Sequence, residues 1–271
     1  MSDDASAALL DLARRIALQA AEFAFEARRG GVSIAETKSS PVDIVTAVDR
    51  DTEALIRRLV LEARPDDGFV GEEDVARIGT SGVNWVVDPI DGTVNFLYGI
   101  PAWAISIAVV EGSADPTRWT ALAAVVVNPS TGEVFEARAG GGAWLDGRRL
   151  QVNTDVPLSH ALLGTGFGYA AEVRRAQAEV LLELLPLARD IRRIGSAALD
   201  LCAVAAGSLD AYYERGLNPW DHAAGALIAA EAGAKVGGPG GGAATFELVI
   251  AAAPGLYEEI AEALRRAGVD A

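Results

Sequence analysis

A single cysteine, Cys202, stands among 271 residues, so no intrachain disulfide can form. Its surroundings, SAALDLCAVAAG, read as a buried helix in which the thiol is a small core residue. Basic charge is also short. Lys and Arg number 23 against 38 Asp and Glu, a formal net charge of −15 at pH 7. That balance argues against a nucleic-acid or anionic-membrane partner held by bulk charge. An anionic substrate stays possible, provided the site imports its own positive charge. Long apolar runs are missing too. The longest charge-free stretch, Gly92 to Val110, is broken by Thr93, Asn95, Gly99 and Pro101 and reads as strand and loop, not as a membrane span. The first residues, MSDDASAALLDLARR, lack the basic-then-apolar pattern of a signal peptide, so a reducing cytoplasm is expected. No Walker lysine motif occurs. The glycines of LLGTGFGYA (162–170) miss the dinucleotide fingerprint, because Tyr169 stands where Gly or Ala is required. Nucleotide cofactors are not expected.

What is present is a globular chain, 51% hydrophobic and long enough for a sizeable core. Residues 5–29 place Leu9, Leu12, Ala13, Ile16, Ala20 and Phe23 at helical spacing, and 47–64 form a second helix ended by Arg64-Pro65. Segments 84–88, 104–111, 119–128, 133–137 and 142–146 read as short strands joined tightly enough for antiparallel pairing. After them strands and helices alternate, with strands near 161–164, 191–194, 209–214 and 247–252. The helices of this half fall at 170–188, 196–206, 220–232 and 255–267. The pattern predicts a layered α/β fold with two sheets. It divides into an N-terminal part, 1–155, which carries the acidic motifs read below as a metal and phosphate site, and a C-terminal α/β part, 156–271, packed as one compact unit. The glycine-rich GGPGGGAA at 237–244 reads as a flexible surface connection.

The chemistry concentrates in WVVDPIDGTVNF, residues 85–96. An apolar run stops at Asp88. Pro89 disfavours helix there and removes an amide, so the strand is expected to end. Asp88 and Asp91 then project from the carboxyl end of a strand, where open α/β sheets bind ligands. Ile90 can lend its carbonyl, and Gly92 and Thr93 can present backbone amides to a phosphate. Glu72 and Glu73 follow an apolar pair in FVGEED, and Asp221 lies in the first turn of a helix behind Asn218 and Pro219. Two like charges ~4 Å apart repel by about 4 kcal/mol at an effective dielectric of ~20. Divalent cations such as Mg²⁺ resolve that conflict, since they prefer oxygen ligands. Read alone, Asp221 is a helix cap, Glu72-Glu73-Asp74 a solvated turn, and Asp88-Pro89 a turn opener. Their conjunction against an apolar strand points instead to a metal site, because burying such acids without cations is costly.

The motifs GEED, WVVDPIDGTVNF and NPWDHAAGALIAAEAG resemble those of the inositol monophosphatase family, and KSSPVDIVTAVD and GSAALDLCAVAAGSLDAYYE are similar to two more of its segments. The resemblance runs in order over roughly residues 5–235. It implies a five-layered αβαβα sandwich, a homodimer, and a Mg²⁺-dependent, lithium-sensitive phosphomonoesterase with two or three Mg²⁺ per site, Mn²⁺ being an alternative. By position, Glu72, Asp88 and the Ile90 carbonyl would hold one metal, and Asp88, Asp91 and Asp221 a second. Gly92 and Thr93 would bind phosphate. Gly195, Ser196, Ala197 and Glu214, with Asp91 and Asp221, would face the substrate. Asp49 would pair with Thr93 to help Glu72 activate water, with Lys38 and Glu73 as accessory residues. The expected reaction is attack of a metal-activated water on inositol monophosphate or a related polyol or sugar monophosphate. Histidinol phosphate or a bisphosphate is the alternative substrate, and a non-catalytic regulatory protein on the same fold is the alternative class. An aspartyl-phosphate route is disfavoured, since the second acid follows the first by three positions, not two. His222 is expected to be structural, and His160 has no motif around it.

Overall fold

The computed structural model describes residues 3–30, 34–37, 44–113 and 115–271. Helix α1 (Asp3–Arg29) precedes a two-stranded antiparallel ribbon, β1 (Ile34–Thr37) and β2 (Ile44–Thr46), and helix α2 (Ala47–Ala63) follows. In α1 the buried stripe is Leu9, Ala13, Ile16, Ala17, Ala20, Ala21 and Ala24, at the 3.6-residue period. Phe23, expected on that stripe, is 39% exposed. The run of alanines takes the inner face and brings the helix close to the sheet beneath it. Thr46 caps α2 reciprocally with Asp49, and the helix stops before Arg64-Pro65 as expected.

Strands β3 (Gly68–Gly71) and β4 (Val83–Asp91) are followed by a short helix, α3 (Thr93–Tyr98). Then come β5 (Ala104–Gly112), β6 (Trp119–Asn128), β7 (Glu133–Arg138), β8 (Gly142–Leu145) and β9 (Arg148–Arg149). These strands form one seven-stranded sheet in chain order. Only the β3–β4 pair is parallel; the expected antiparallel pairing holds from β4 onward.

The second half supplies β10 (Leu162–Thr165), α4 (Ala171–Leu184), β11 (Asp190–Arg192), α5 (Ala197–Ala205) and β12 (Ala211–Glu214). It continues with α6 (Pro219–Glu231), β13 (Lys235–Gly237), β14 (Val249–Ala252) and α7 (Pro254–Arg266). Its five-stranded sheet runs β11-β10-β12-β14-β13. Helix α4 ends earlier than expected: Leu185 still has helical angles and donates to Leu181, but Pro186 has no N–H with which to continue the ladder. The glycine-rich segment is built into the fold at its start, which corrects the flexible-connection reading. Gly237 lies in β13, where a Cβ would sit 2.4 Å from the Tyr257 hydroxyl.

Three apolar clusters define the layering. Leu9 to Ala24 of α1 and Ile56 and Val60 of α2 pack on Trp85, Val87, Ile105 and Ile107 of the larger sheet. The opposite face of that sheet, Val86, Ala104 and Ala108, meets α5 and α6, which also cover Tyr212, Val249 and Ala251 of the smaller sheet. Beyond it, Tyr213, Ile250 and Ala252 face α4 and α7. The order is helix, sheet, helix, sheet, helix: the five-layered αβαβα sandwich. Strands buried on both faces explain why they read as continuous apolar runs.

Candidate functional site

The end of β4 decides where the acids go. Along the strand, Trp85 and Val87 face α1 and α2 while Val86 faces α5 and α6. With period-2 alternation, Asp88 points to the α5/α6 side, and Asp91 would point away from it. The strand does not stop at Asp88, as the sequence suggested. It continues to Asp91 through a bulge: Asp88 pairs with Ser106 and Asp91 with Ala104, three steps on β4 against two on β5. One extra residue flips the alternation. Ile90 turns into the α1/α2 core and Asp91 joins Asp88 on the α5/α6 side. Pro89 is tolerated because β3 pairs no further than Val87, which leaves that edge of β4 without a partner strand.

Asp88 is 2% exposed, and its carboxyl is pushed well above the usual carboxylate range by burial and then by Glu72, Asp91 and Asp221. Asp91 accepts from the Ser196 hydroxyl (2.5 Å) and the Ala198 amide (2.7 Å). Burial raises it to about 6 against those hydrogen bonds and the Arg193 charge. Asp221 caps α6 by accepting the Asn218 amide at 2.6 Å, so the capping reading holds. It also faces the other acids, and burial followed by Glu72 and Asp91 holds its carboxyl well above the usual range.

Around this centre the remaining residues fall into two groups. Asp49, from α2, accepts from the Thr46 amide (2.9 Å), the Thr46 hydroxyl and the Thr93 hydroxyl (3.1 Å), and burial raises it to about 6. The Thr93 hydroxyl also lies 3.1 Å from the Ile90 carbonyl. Gly92 has φ +92°, and a Cβ there would lie 3.0 Å from the carbonyls of Ala102 and Gly195. Gly195, Ser196 and Ala197 pass directly beside it, at the start of α5. Glu214, at the end of β12, accepts from the Tyr212 hydroxyl and is raised to about 7 by burial, against Tyr212 and Arg193. Glu73 offers its amide to Glu53 at 2.7 Å. Lys38 lies outside the described residues. His222 is 2% exposed and depressed to about 4 by burial, a neutral core residue as expected; His160 lies exposed in a surface turn, and Cys202 is buried in α5.

Three residues escaped the sequence reading. Asn95 is buried and its amide nitrogen reaches the carbonyls of Ala102 (2.7 Å) and Ile194 (2.9 Å), tying α3 to the α5 approach. Asp200, 1% exposed with Oδ1 unpartnered, is raised to about 8 by burial, Glu214 and Asp91. Arg193 supplies the positive charge that opposes the upward shifts of Asp91, Asp200 and Glu214. The signal for Asp200 was an acid inside the otherwise apolar SAALDLCAV helix.

The donor set suits a hard divalent cation: four carboxylates and a carbonyl, all oxygen. The negative charges of Glu72, Asp91 and Asp221 gathered on buried Asp88 mark where positive charge is wanted. Among the described residues, no group of three or more acidic, His or Cys side chains is already poised to hold a metal ion. The residues fit the cation in kind and charge, and their carboxylates must turn to enclose it.

The fold is thus a five-layered αβαβα sandwich with buried acids gathered at the bulged end of a central strand. The family model of the inositol monophosphatase family matches residues 6–268, and the chain belongs to that family. Inositol-1-monophosphatase SuhB of Mycobacterium tuberculosis is 48% identical across 97% of this chain and 96% of its own. Nus factor SuhB of Vibrio cholerae is 36% identical across 96% and 97%. The solved structure of extragenic suppressor protein suhB from Bartonella henselae superposes with a TM-score of 0.87 at 33% identity, covering 96% of this chain and 99% of that one. No described helix is long and apolar enough to cross a membrane.

Proposed function

We propose that the protein is a Mg²⁺-dependent phosphomonoesterase that hydrolyses inositol monophosphate or a related polyol or sugar monophosphate. The observation that carries this reading is Asp88, 2% exposed and facing the negative charges of Glu72, Asp91 and Asp221. Glu72, Asp88 and the Ile90 carbonyl would hold one cation, and Asp88, Asp91 and Asp221 another, with Mn²⁺ as an alternative to Mg²⁺. When bound, such cations lower the pKa of water and stabilise charge on attacking and leaving oxygens. The protein's own groups do the positioning. Asp49 accepts the Thr93 hydroxyl, which leaves the Thr93 lone pairs to accept one O–H of a water whose other proton Glu72 would take as general base. The amides of Gly92 and Thr93, at a helix start where N–H groups lack intrahelical acceptors, receive the phosphoryl oxygens. Glu214, steadied by Tyr212, accepts from substrate hydroxyls. Lithium inhibition and a homodimeric state belong to the same reading.

Phosphate release should be measured with and without Mg²⁺ on inositol 1-phosphate, glycerol 2-phosphate, histidinol phosphate and bisphosphates. Mg²⁺-dependent release, greatest for the polyol monophosphates, is expected. Preference for histidinol phosphate or a bisphosphate would overturn the substrate assignment. The name of the Vibrio cholerae relative supports a second reading, in which the same fold serves a partner without turnover. Absence of release from every ester would favour it.

A further inference from the structure

Helix α2 puts two acids on one face a single turn apart, Asp49 and Glu53. Asp49 holds Thr93. Glu53 is 1% exposed, and its carboxylate sits among the backbone of the loop that carries Glu72. Oε2 accepts the Glu73 amide at 2.7 Å, and Oε1 accepts the Asp74 amide and Arg57 Nη2, both at 3.1 Å. Gly71 passes so close that a Cβ would lie 2.3 Å from Oε2 and 2.6 Å from Oε1. Arg57 closes the arrangement from outside, 4.4 Å above the Phe69 ring and bonded to the Val75 carbonyl at 3.2 Å.

A buried carboxylate beside Glu72, Glu73 and Asp74 is electrostatically odd. Four like charges should drive the loop outward, away from Asp88. The geometry resolves the oddity, since Glu53 accepts main-chain N–H groups and so grips the loop through atoms that carry no negative charge. We propose that Glu53 is a positioning residue: it pins the 71–74 backbone so that Glu72 faces Asp88, and α2 thereby sets both Glu72 and Thr93 from one rigid element. The inference rests on the reading of Glu72 as a cation ligand. Partners one step removed from a metal typically change its affinity 10–100-fold when altered.

The test is calorimetric titration of Mn²⁺ and Mg²⁺ into the metal-free full chain, alongside its thermal midpoint. Glu53→Gln leaves an NH₂ facing one of the two loop amides, and Gly71→Ala displaces the carboxylate while keeping its charge. Both should weaken cation binding by about 10–100-fold. Arg57→Ala removes the outer ion pairs and the Val75 contact but keeps both amide acceptors, so it should weaken cation binding clearly less than Glu53→Gln does. Glu53→Gln and Gly71→Ala both binding as tightly as the parent overturn the inference. So does Arg57→Ala matching Glu53→Gln, which would make the effect general loosening. If the parent itself binds no cation, the metal-site reading falls first and this inference with it. Should Glu53→Gln not fold, Gly71→Ala against Arg57→Ala carries the same comparison.

Discussion

Strand β4 touches buried acid at both ends, on opposite terms. At its start the Trp85 indole N–H donates to Asp67 at 3.0 Å. Asp67 also receives Arg64 through two hydrogen bonds (2.9 and 3.1 Å) and the Ser81 hydroxyl at 2.7 Å. It is 1% exposed, and burial alone would raise its carboxyl. Its donors and the Arg64 charge outweigh that and hold it below the usual range. At the other end, Asp88 meets three acids, and burial plus their charges push it upward. A buried carboxylate is a structural element when the chain supplies donors and a cation, and a site in waiting when the chain supplies more carboxylates.

Mutating each end should separate the two roles. Asp88→Asn should cut phosphate release by roughly 10²–10³-fold or more while leaving the melting midpoint intact. Retained turnover would break the contrast. Asp67→Ala should do the reverse, costing about 1–3 kcal/mol in denaturant unfolding by stranding its donors, with activity of the folded fraction unchanged.

The pH response should also have opposite signs. Groups raised in the folded state, Asp91 and Asp49 at about 6, Glu214 at about 7 and Asp200 at about 8, keep protons that the unfolded chain has lost. Their contribution to stability therefore falls as pH rises from the ordinary carboxylate range to about 8. Asp67, depressed when folded, contributes above the ordinary carboxylate value and loses that as pH drops through its folded pKa. In chelator the melting midpoint should decline by a few degrees from mildly acidic to mildly alkaline pH, and Mg²⁺ should restore more at the alkaline end. A midpoint that rises in chelator over that range would contradict the strained-acid picture. Trp85→Phe removes one donor from Asp67 and leaves space where a fully buried indole stood, and should cost about 1–3 kcal/mol by the same unfolding measurement with activity of the folded fraction unchanged.

Much of the site was legible in the chain, and the reason is local. Asp88 and Asp91 stand against an apolar run, with Pro89 between them and Gly92 behind, so their burial and their conflict could be read from adjacent residues. Asp221 was readable as a helix cap or as one of the converging acids, and in the structure it caps α6 and faces the charges of Glu72 and Asp91. Glu53 and Asn95 were not legible, because their partners are far away in the chain: Asn95 and the Ile194 carbonyl are 99 residues apart. An acid inside a helix such as α2 looks like a solvated charge until the loop that covers it is placed.

By itself the sequence determined most of the helices and longer strands, the two-sheet layering, and an acidic motif whose charges call for cations; the short strands β1, β2, β3, β9 and β13 were not read from it. The features it did determine follow from periodicity, proline and glycine placement, and Coulomb repulsion, all short-range in the chain. Only the tertiary structure decided that β4 runs through Pro89 instead of ending there. A strand's register depends on its partner, and the mismatch with β5 turns Asp91 onto the face that Asp88 already occupies. It likewise decided that one helix holds both Glu72's loop and Thr93, since packing alone sets which distant backbone a buried carboxylate meets.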